Sequence, residues 1–233
     1  MTPPVSNDIS SKISAILAQG WSHIPENLNG TGAAGMYLER LFGSENDNLD
    51  IPDLRGWEIK YHGGGTNLLT LFHKEPKPIG HQRGLIEKFG RRRENGETTF
   101  RHTIRGGSKT TNLGFYISVE PEIVAIKNIN DTSFAFPYWS HDEILTSFLS
   151  KLRRLIFIMG QTQDRMVLFE KAYIFEEPRA MLIINAVRDG IIAIDFDMKI
   201  RADGTIRNHG TKFRIKADDL QLLYVKQEIF KKS

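Results

Sequence analysis

The sequence predicts an α/β protein with a mixed central β-sheet flanked by helices. Three observations carry that expectation. Apolar or alternating stretches at 57–61, 68–72, 123–129, 155–159, 166–175 and 191–200 are interleaved with segments whose apolar residues recur at helical spacing. At 233 residues, with 40% hydrophobic and 10% aromatic content, the chain fits one large domain or two small ones and can bury a proper core. No repeat, low-complexity tract or clear linker interrupts the pattern.

The elements follow in order. Asp8 to Gln19 puts Ile9, Ile13, Ile16 and Leu17 on one stripe and stops at Gly20, which predicts a first helix. A connector over 21–29 and the small residues Gly30 to Gly35 lead into a second helix, Met36 to Phe42, closed by Gly43. Those glycines are not a phosphate loop, because the terminal Gly-Lys-Ser/Thr is missing. Within this helix Glu39 stands among Leu38, Leu41 and Phe42, and by itself reads as a surface acid at the edge of a buried face. Trp57 to Tyr61 predicts a strand, Gly63-Gly64-Gly65 a sharp reversal, and 68–72 a returning strand, together a hairpin. From Glu75 to Thr111 the chain reads as a long irregular basic loop with one short helical piece at 85–89.

Strands are expected at 113–119 and 123–129, then an extended aromatic stretch at 134–139. Ser140-His141-Asp142-Glu143 has capping-box spacing for a helix running to Leu152. Leu155 to Met159 reads as a strand buried on both faces, and 166–175 as another strand. Pro178 to Arg188 predicts a helix closed by Gly190, followed by a strand over 191–200. Arg201 to Arg214 reads as a second basic loop, and 218–224 as a short helix.

Composition also excludes some chemistry. With no cysteine there is no disulfide, no thiolate zinc site and no cysteine nucleophile. The start of the chain has neither a basic segment nor an apolar run, and no stretch reaches eighteen apolar residues, so a cytoplasmic protein without membrane contact is expected. Net charge is only +3, but ten basic residues against four acids lie between Lys74 and Lys109, a local balance of +6 that leaves the remainder at −3. Charge concentrated this way marks a polyanion partner or, more blandly, a solvated loop. The basic residues of 201–214 form either a second jaw for that partner or a solvated end.

The strongest candidate chemistry lies in Asp50 to Lys60. On a strand, Glu58 and Lys60 share one face while Trp57, Ile59 and Tyr61 share the other, and Asp53 in the preceding turn can come round beside the first pair. Two carboxylates and one ammonium converging on a point suit a divalent cation, a scissile phosphate and an attacking water, a metal-dependent nuclease centre. A charged, solvated strand face fits the same three residues. Glu-x-Lys arises by accident about once in a chain like this, and Glu75-Pro76-Lys77 is such an accident. His73, leaving the returning strand at the mouth of the basic stretch, reads as a surface histidine or a nucleic-acid contact.

Four blocks in register resemble the MvaI/BcnI restriction endonucleases, relatives of the MutH nickase within the PD-(D/E)XK nuclease superfamily. They are Gly35-Met36-Tyr37-Leu38-Glu39-Arg40-Leu41-Phe42-Gly43; Asp50 to His62 followed by Leu69 to Lys74; Lys109 to Gly114; and Gly210 to Ile215. The resemblance implies a restriction-endonuclease-like, MutH-like core with a DNA-binding cleft. It implies a single domain over 1–233 divisible into two lobes, one catalytic (about 1–75 plus the sheet) and one for DNA recognition (74–111 and 200–216). Asp53 and Glu58 would be metal-binding carboxylates with the Ile59 carbonyl as a further ligand, Lys60 would position or deprotonate the water, and Glu39 would be the helix carboxylate beside the metal. His73, Lys212 and Arg214 would read base edges. Lys74, Arg91, Arg92, Arg93, Arg105 and Lys109, with Arg207 and His209 on the C-terminal side, complete the DNA-binding candidates. Members of that family carry His-Asp where this chain has Arg207-Asn208, and Lys212 occupies a variable position, which leaves the target sequence open.

The implied function is a type II restriction endonuclease, hydrolysing double-stranded DNA at a short site with Mg²⁺ (Mn²⁺ as a substitute) to give 5′-phosphate ends. It would act as a monomer on DNA, with a cognate DNA methyltransferase as its companion. A MutH-like strand-nicking repair endonuclease and a non-cleaving sequence-specific DNA-binding protein are the alternatives.

Overall fold

The computed structural model describes residues 7–43, 56–65, 67–107 and 110–232. They fall into two compact units, Met1–Asn67 with Leu149–Arg179 and Leu220–Ser233, and Leu68–Phe148 with Ala180–Asp219. The chain begins with α1 (Asn7–Ala18), β1 (Trp21–His23), α2 (Ala33–Phe42) and β2 (Glu58–His62). It continues through β3 (Leu69–His73), α3 (His81–Phe89), β4 (Arg91–Arg92), β5 (Thr98–Ile104), β6 (Phe115–Val119), β7 (Ile123–Asn128) and β8 (Tyr138–Ser140). Then come α4 (His141–Leu152), β9 (Arg154–Gln163), β10 (Met166–Pro178), α5 (Ala180–Arg188), β11 (Ile192–Ile200), β12 (Ile206–Asn208) and β13 (Lys212–Ile215). A 3₁₀ segment, Ala217–Leu223, precedes β14 (Tyr224–Lys231).

The first unit is built on a mixed sheet ordered β1-β10-β9-β2, with β14 also paired to β10. β2 lies parallel to β9, with Glu58 opposite Leu155 and Lys60 opposite Phe157, and the other pairings are antiparallel. Ile13, Ile16 and Leu17 of α1 and Ala34, Leu38 and Phe42 of α2 stand at helical spacing and are buried with Trp57, Ile59, Ile156 and Ile158. At Gly35 the helix backbone comes close to β2, where an added Cβ would lie 4.0 Å from the Cβ of Tyr61. Burying one face of β2 against helices turns Glu58, Lys60 and His62 to the other face, as a two-residue period requires. β9 is buried on both sides through Leu155, Ile156, Phe157 and Ile158, which matches the continuous apolar run in its sequence.

The second unit holds a six-stranded antiparallel sheet, β3-β13-β11-β5-β4 with β12 on β11, and a three-stranded one, β6-β7-β8. Ile192, Ile194, Phe196 and Met198 of β11 are buried, and Asp195, Asp197 and Lys199 alternate with them onto the opposite face. The α4 capping box forms as expected: Ser140 N and Oγ donate to Glu143 Oε2 at 2.9 and 3.0 Å, and Glu143 N donates to Ser140 Oγ at 3.2 Å.

Three local expectations are corrected. Strands β2 and β3 are not a hairpin, because β2 pairs with β9 while β3 pairs with β13 in a different sheet. The triple glycine therefore carries the chain between sheets. The 75–111 stretch is not one loop: it contains α3, β4 and β5, with β5 inside the sheet. The 201–214 stretch likewise contains β12 and β13. Both stretches hide their strands because only alternate residues, such as Phe100, Ile104, Phe213 and Ile215, are buried, while the others carry the charge that suggested loops.

Candidate active site

In the first unit the structure brings Glu58 and Lys60 together. Lys60 Nζ donates to Glu58 Oε1 at 2.7 Å, with the Glu58 side chain only 3% exposed. On its face of the sheet Glu58 lies beside Leu155 of β9, which lies beside Phe175 of β10, and Phe175 stacks on Tyr224 with ring centroids 5.1 Å apart. Burial, reinforced by the negative charge of Glu58, raises the Tyr224 phenol far above its usual range, and its hydroxyl donates to Leu152 O at 2.9 Å. Lys151, at the end of α4, places a second ammonium 4.0 Å from Glu58 Oε1. Sequence reasoning missed both Lys151 and Tyr224. The signal available was a lysine closing a capped helix directly before the continuous apolar run of β9.

Glu39 lies on α2, partly buried, one turn after Gly35 and so on the side of the helix that meets β2. Ile59 is buried between Glu58 and Lys60, and its carbonyl belongs to the outer strand of the described sheet. Asp53 lies outside the described residues, as does Lys109. The donor set fits a hard divalent cation. Glu58 and the Ile59 carbonyl offer oxygen alone, and two nearby ammonium groups offset the negative charge of carboxylate and phosphate.

In the second unit the candidates divide. His73 is exposed at the end of β3, directly opposite Lys212 on β13. Arg214 shares the face of Lys212 and is held by Asp195 Oδ2 at 3.1 Å and by Leu68 O at 2.6 Å. Asp195 is 9% exposed and also accepts from Thr103 Oγ1 at 2.5 Å. Asp197 lies 2.9 Å from Arg101 Nε and 3.5 Å from Lys212 Nζ. His73, Lys212, Arg214, Arg101, Asp195 and Asp197 thus line one face of one sheet. Asp195 and Asp197 were missed, although their alternation with Ile194, Phe196 and Met198 announces a polar strand face.

Arg91 and Arg92 are exposed on β4, the outermost strand of that sheet, and Arg93 follows with Nε donating to Thr99 Oγ1 at 3.2 Å. Lys74 is tied by its backbone N to Thr211 O at 3.0 Å. Arg207 is exposed on β12 opposite Lys199, and His209 is exposed with its N donating to Asp197 O at 3.0 Å. The Arg105 guanidinium donates to Gly190 O at 3.1 Å, capping the segment after α5. Among the described residues no helix is long and apolar enough to cross a membrane.

By class this is a restriction-endonuclease α/β fold. The structure matches that of the restriction endonuclease MvaI in complex with its cognate DNA substrate at a TM-score of 0.81 and 26% identity, covering 96% of this chain and 97% of that one. MvaI in the absence of DNA matches at a TM-score of 0.59 and 24% identity, over 97% of this chain and 98% of that one, and supports the fold alone. Among curated proteins nothing matches. The chain belongs to the MvaI/BcnI restriction endonuclease family, whose pattern spans residues 10–224.

Proposed function

We propose that the protein is a type II restriction endonuclease that hydrolyses phosphodiester bonds of double-stranded DNA at a short specific site, leaving 5′-phosphate ends. The observation that carries this reading is the buried Glu58–Lys60 pair on one face of β2, 2.7 Å apart, in a member of this family. Asp53, Glu58 and the Ile59 carbonyl, with Glu39 beside them, would hold Mg²⁺, for which Mn²⁺ would substitute; the ion supplies charge neutralisation and lowers the pKa of a bound water. Lys60 Nζ orients or deprotonates the attacking water and stabilises the charge that grows on the phosphoryl oxygens. The apolar layer under Glu58 keeps bulk water from weakening these interactions.

Division of labour follows from the second unit. His73, Lys212 and Arg214 stand on a strand face that offers donors to base edges, and Arg is suited to the O6 and N7 of guanine. Lys74, Arg91, Arg92, Arg93, Arg105, Lys109, Arg207 and His209 are assigned to DNA contact. Of these, Arg91 and Arg92 are on the exposed edge strand suited to phosphates, which fix register without reading sequence. The lobes of the proposal are a catalytic one and a recognition one within a single endonuclease, acting in the cytoplasm as a monomer, with a cognate methyltransferase protecting host sites.

The test is digestion of plasmid DNA with Mg²⁺ and with Mn²⁺, followed by run-off sequencing of the products. Linear products with uniform ends support the proposal. Nicked circles that never become linear select a MutH-like nickase instead, and tight salt-dependent binding without any cleavage selects a non-cleaving binder. Lys60→Ala that cuts as fast as wild type would falsify the catalytic assignment.

A further inference from the structure

The turn from the last residue of β12, Asn208, through His209-Gly210-Thr211 leads directly into Lys212 of β13 and carries one further DNA-binding candidate, His209. Asn208 and His209 are exposed and Thr211 is buried, and backbone bonds from His209 N to Asp197 O and from Lys74 N to Thr211 O, each 3.0 Å, already tie the turn to its neighbours. One side chain from elsewhere in the unit holds it. Glu75 Oε1 accepts from the backbone N of Thr211 at 2.7 Å, and its Oε2 accepts from Asn208 Nδ2 at 3.0 Å. Gln82 Nε2 of α3 donates to the same Oε2 at 3.1 Å. A single carboxylate thereby ties together the strand end after β3, the start of α3 and both ends of the turn.

The surroundings make this a fixed joint. Thr211 is 1% exposed, so its N–H needs a protein partner, and its carbonyl accepts from Lys74 N at 3.0 Å. Lys74 O in turn accepts from the buried Trp139 Nε1 at 3.0 Å. Asn208 Oδ1 accepts from Gly210 N at 3.0 Å, which fixes the amide so that its Nδ2 must face Glu75. Gly210 has φ +81°, and a Cβ there would lie 2.9 Å from His73 Cδ2. The turn therefore packs against the imidazole ring of His73.

We infer that Glu75 is a positioning residue for sequence reading: it holds the 208–211 turn against β3 and so sets the register of His209 and Lys212 relative to His73. This rests on the proposed nuclease function and adds to it a residue that touches neither the reacting phosphate nor the bases. A carboxylate suits the task because it alone offers two acceptor oxygens to three donors. Alanine removes the joint. Glutamine at 75 keeps the acceptor for Thr211 N but turns an NH₂ toward Asn208 Nδ2, so it retains half of it.

The experiment digests a library of double-stranded DNA containing all short sequences with wild type, Glu75→Ala, Glu75→Gln and Gly210→Ala, and sequences the ends. The expected result is a loss of discrimination between the preferred site and its single-base variants of about tenfold or more for Glu75→Ala. Glu75→Gln, which carries the same charge change, is to fall between it and wild type, and Gly210→Ala is to resemble Glu75→Ala by displacing His73. A generally destabilised enzyme loses rate on all sites together and keeps its site preference; that outcome in folded variants overturns the inference. Should Glu75→Ala not fold, Gly210→Ala and Glu75→Gln decide the question by the same measurement. Wild type that neither cuts nor selects sites overturns the proposed function, and this positioning role with it, whereas wild type that selects while all three variants select equally well overturns the positioning role alone.

Discussion

The charged face of the first unit and that of the second are both strand faces, yet they treat charge in opposite ways. In the first, one carboxylate is sunk against an apolar and aromatic layer, 3% exposed, with Lys60 and Lys151 as the ammonium groups around it. In the second, Asp195, Asp197, Arg101, Lys212 and Arg214 pair in a row across the three strands β5, β11 and β13, and Arg101 and Lys212 share Asp197. A sunk charge has a large interaction with whatever enters beside it, because low dielectric strengthens every Coulomb term. A row of shared pairs on a partly exposed face exchanges partners at smaller net cost, since each group trades one hydrogen bond for another. The first arrangement suits chemistry and the second suits reading.

The sharpest way to break that comparison is to change one group in each unit. Glu58→Gln or Lys60→Ala is expected to lower the single-turnover cleavage rate on the order of a thousandfold, with DNA affinity in Ca²⁺ nearly unchanged. Gel-shift and rapid-quench measurements on the same substrate check both halves. Arg214→Ala, which strips Asp195 of its 3.1 Å partner and Leu68 O of its donor, is expected to act in reverse. Its discrimination at one base pair should fall by about 1–3 kcal/mol, while the rate on sites that it still cuts falls much less. Equal losses of rate and discrimination in both variants would erase the distinction between the units.

Much of this was legible in the sequence, and the illegible part has a common physical cause. The capping box at Ser140, the apolar run at Leu155 and the alternation around Glu58 each state their structure locally, because helix caps and strand faces are set by near neighbours. Pairing partners are set by distant residues. The chain could not show that β2 would lie beside β9, nor that β3 would join β13, so a glycine-rich reversal looked like a hairpin. Strands β5 and β13 carry charge on every other residue, and a half-buried strand with a functional outer face resembles a basic loop when read along the chain. Glu75 is the extreme case. Its Glu-Pro-Lys spacing is an accident, and its partners Asn208 and Thr211 lie more than a hundred and thirty positions away.

Acidity offers a third contrast. His81 is 6% exposed, and burial lowers its pKa against the opposing pull of the Glu75 charge and of a hydrogen bond to the Pro78 backbone. His102 is lowered by burial as well. Both histidines belong to the second unit and are favoured neutral when folded. Their contribution is therefore complete above the unfolded value, about 6.5, and is lost as pH falls below it. The first unit has the mirror-image case in Tyr61 and Tyr224, whose phenols are raised chiefly by burial, so its stability falls as pH rises above about 10. Hydrogen exchange read unit by unit should show the second unit opening first as pH falls from 7 to 5.5, with a slope of at most about 1.4 kcal/mol per pH unit for each histidine. His81→Phe should flatten that slope, and an unchanged slope would remove His81 from the account.

The smallest expected effect belongs to the edge strand. Arg91 and Arg92 are exposed on β4, where a phosphate contact releases condensed counterions but reads nothing. Replacing each with Ala should make the slope of log affinity against log salt less negative by about 0.9, with every DNA sequence weakened alike. The same titration on Lys212→Ala should change the preferred site as well as the slope, because Lys212 stands among the paired charges of the reading face. If Arg91→Ala altered site preference, β4 would join that face, and the boundary between holding DNA and reading it would move one strand outward in the sheet.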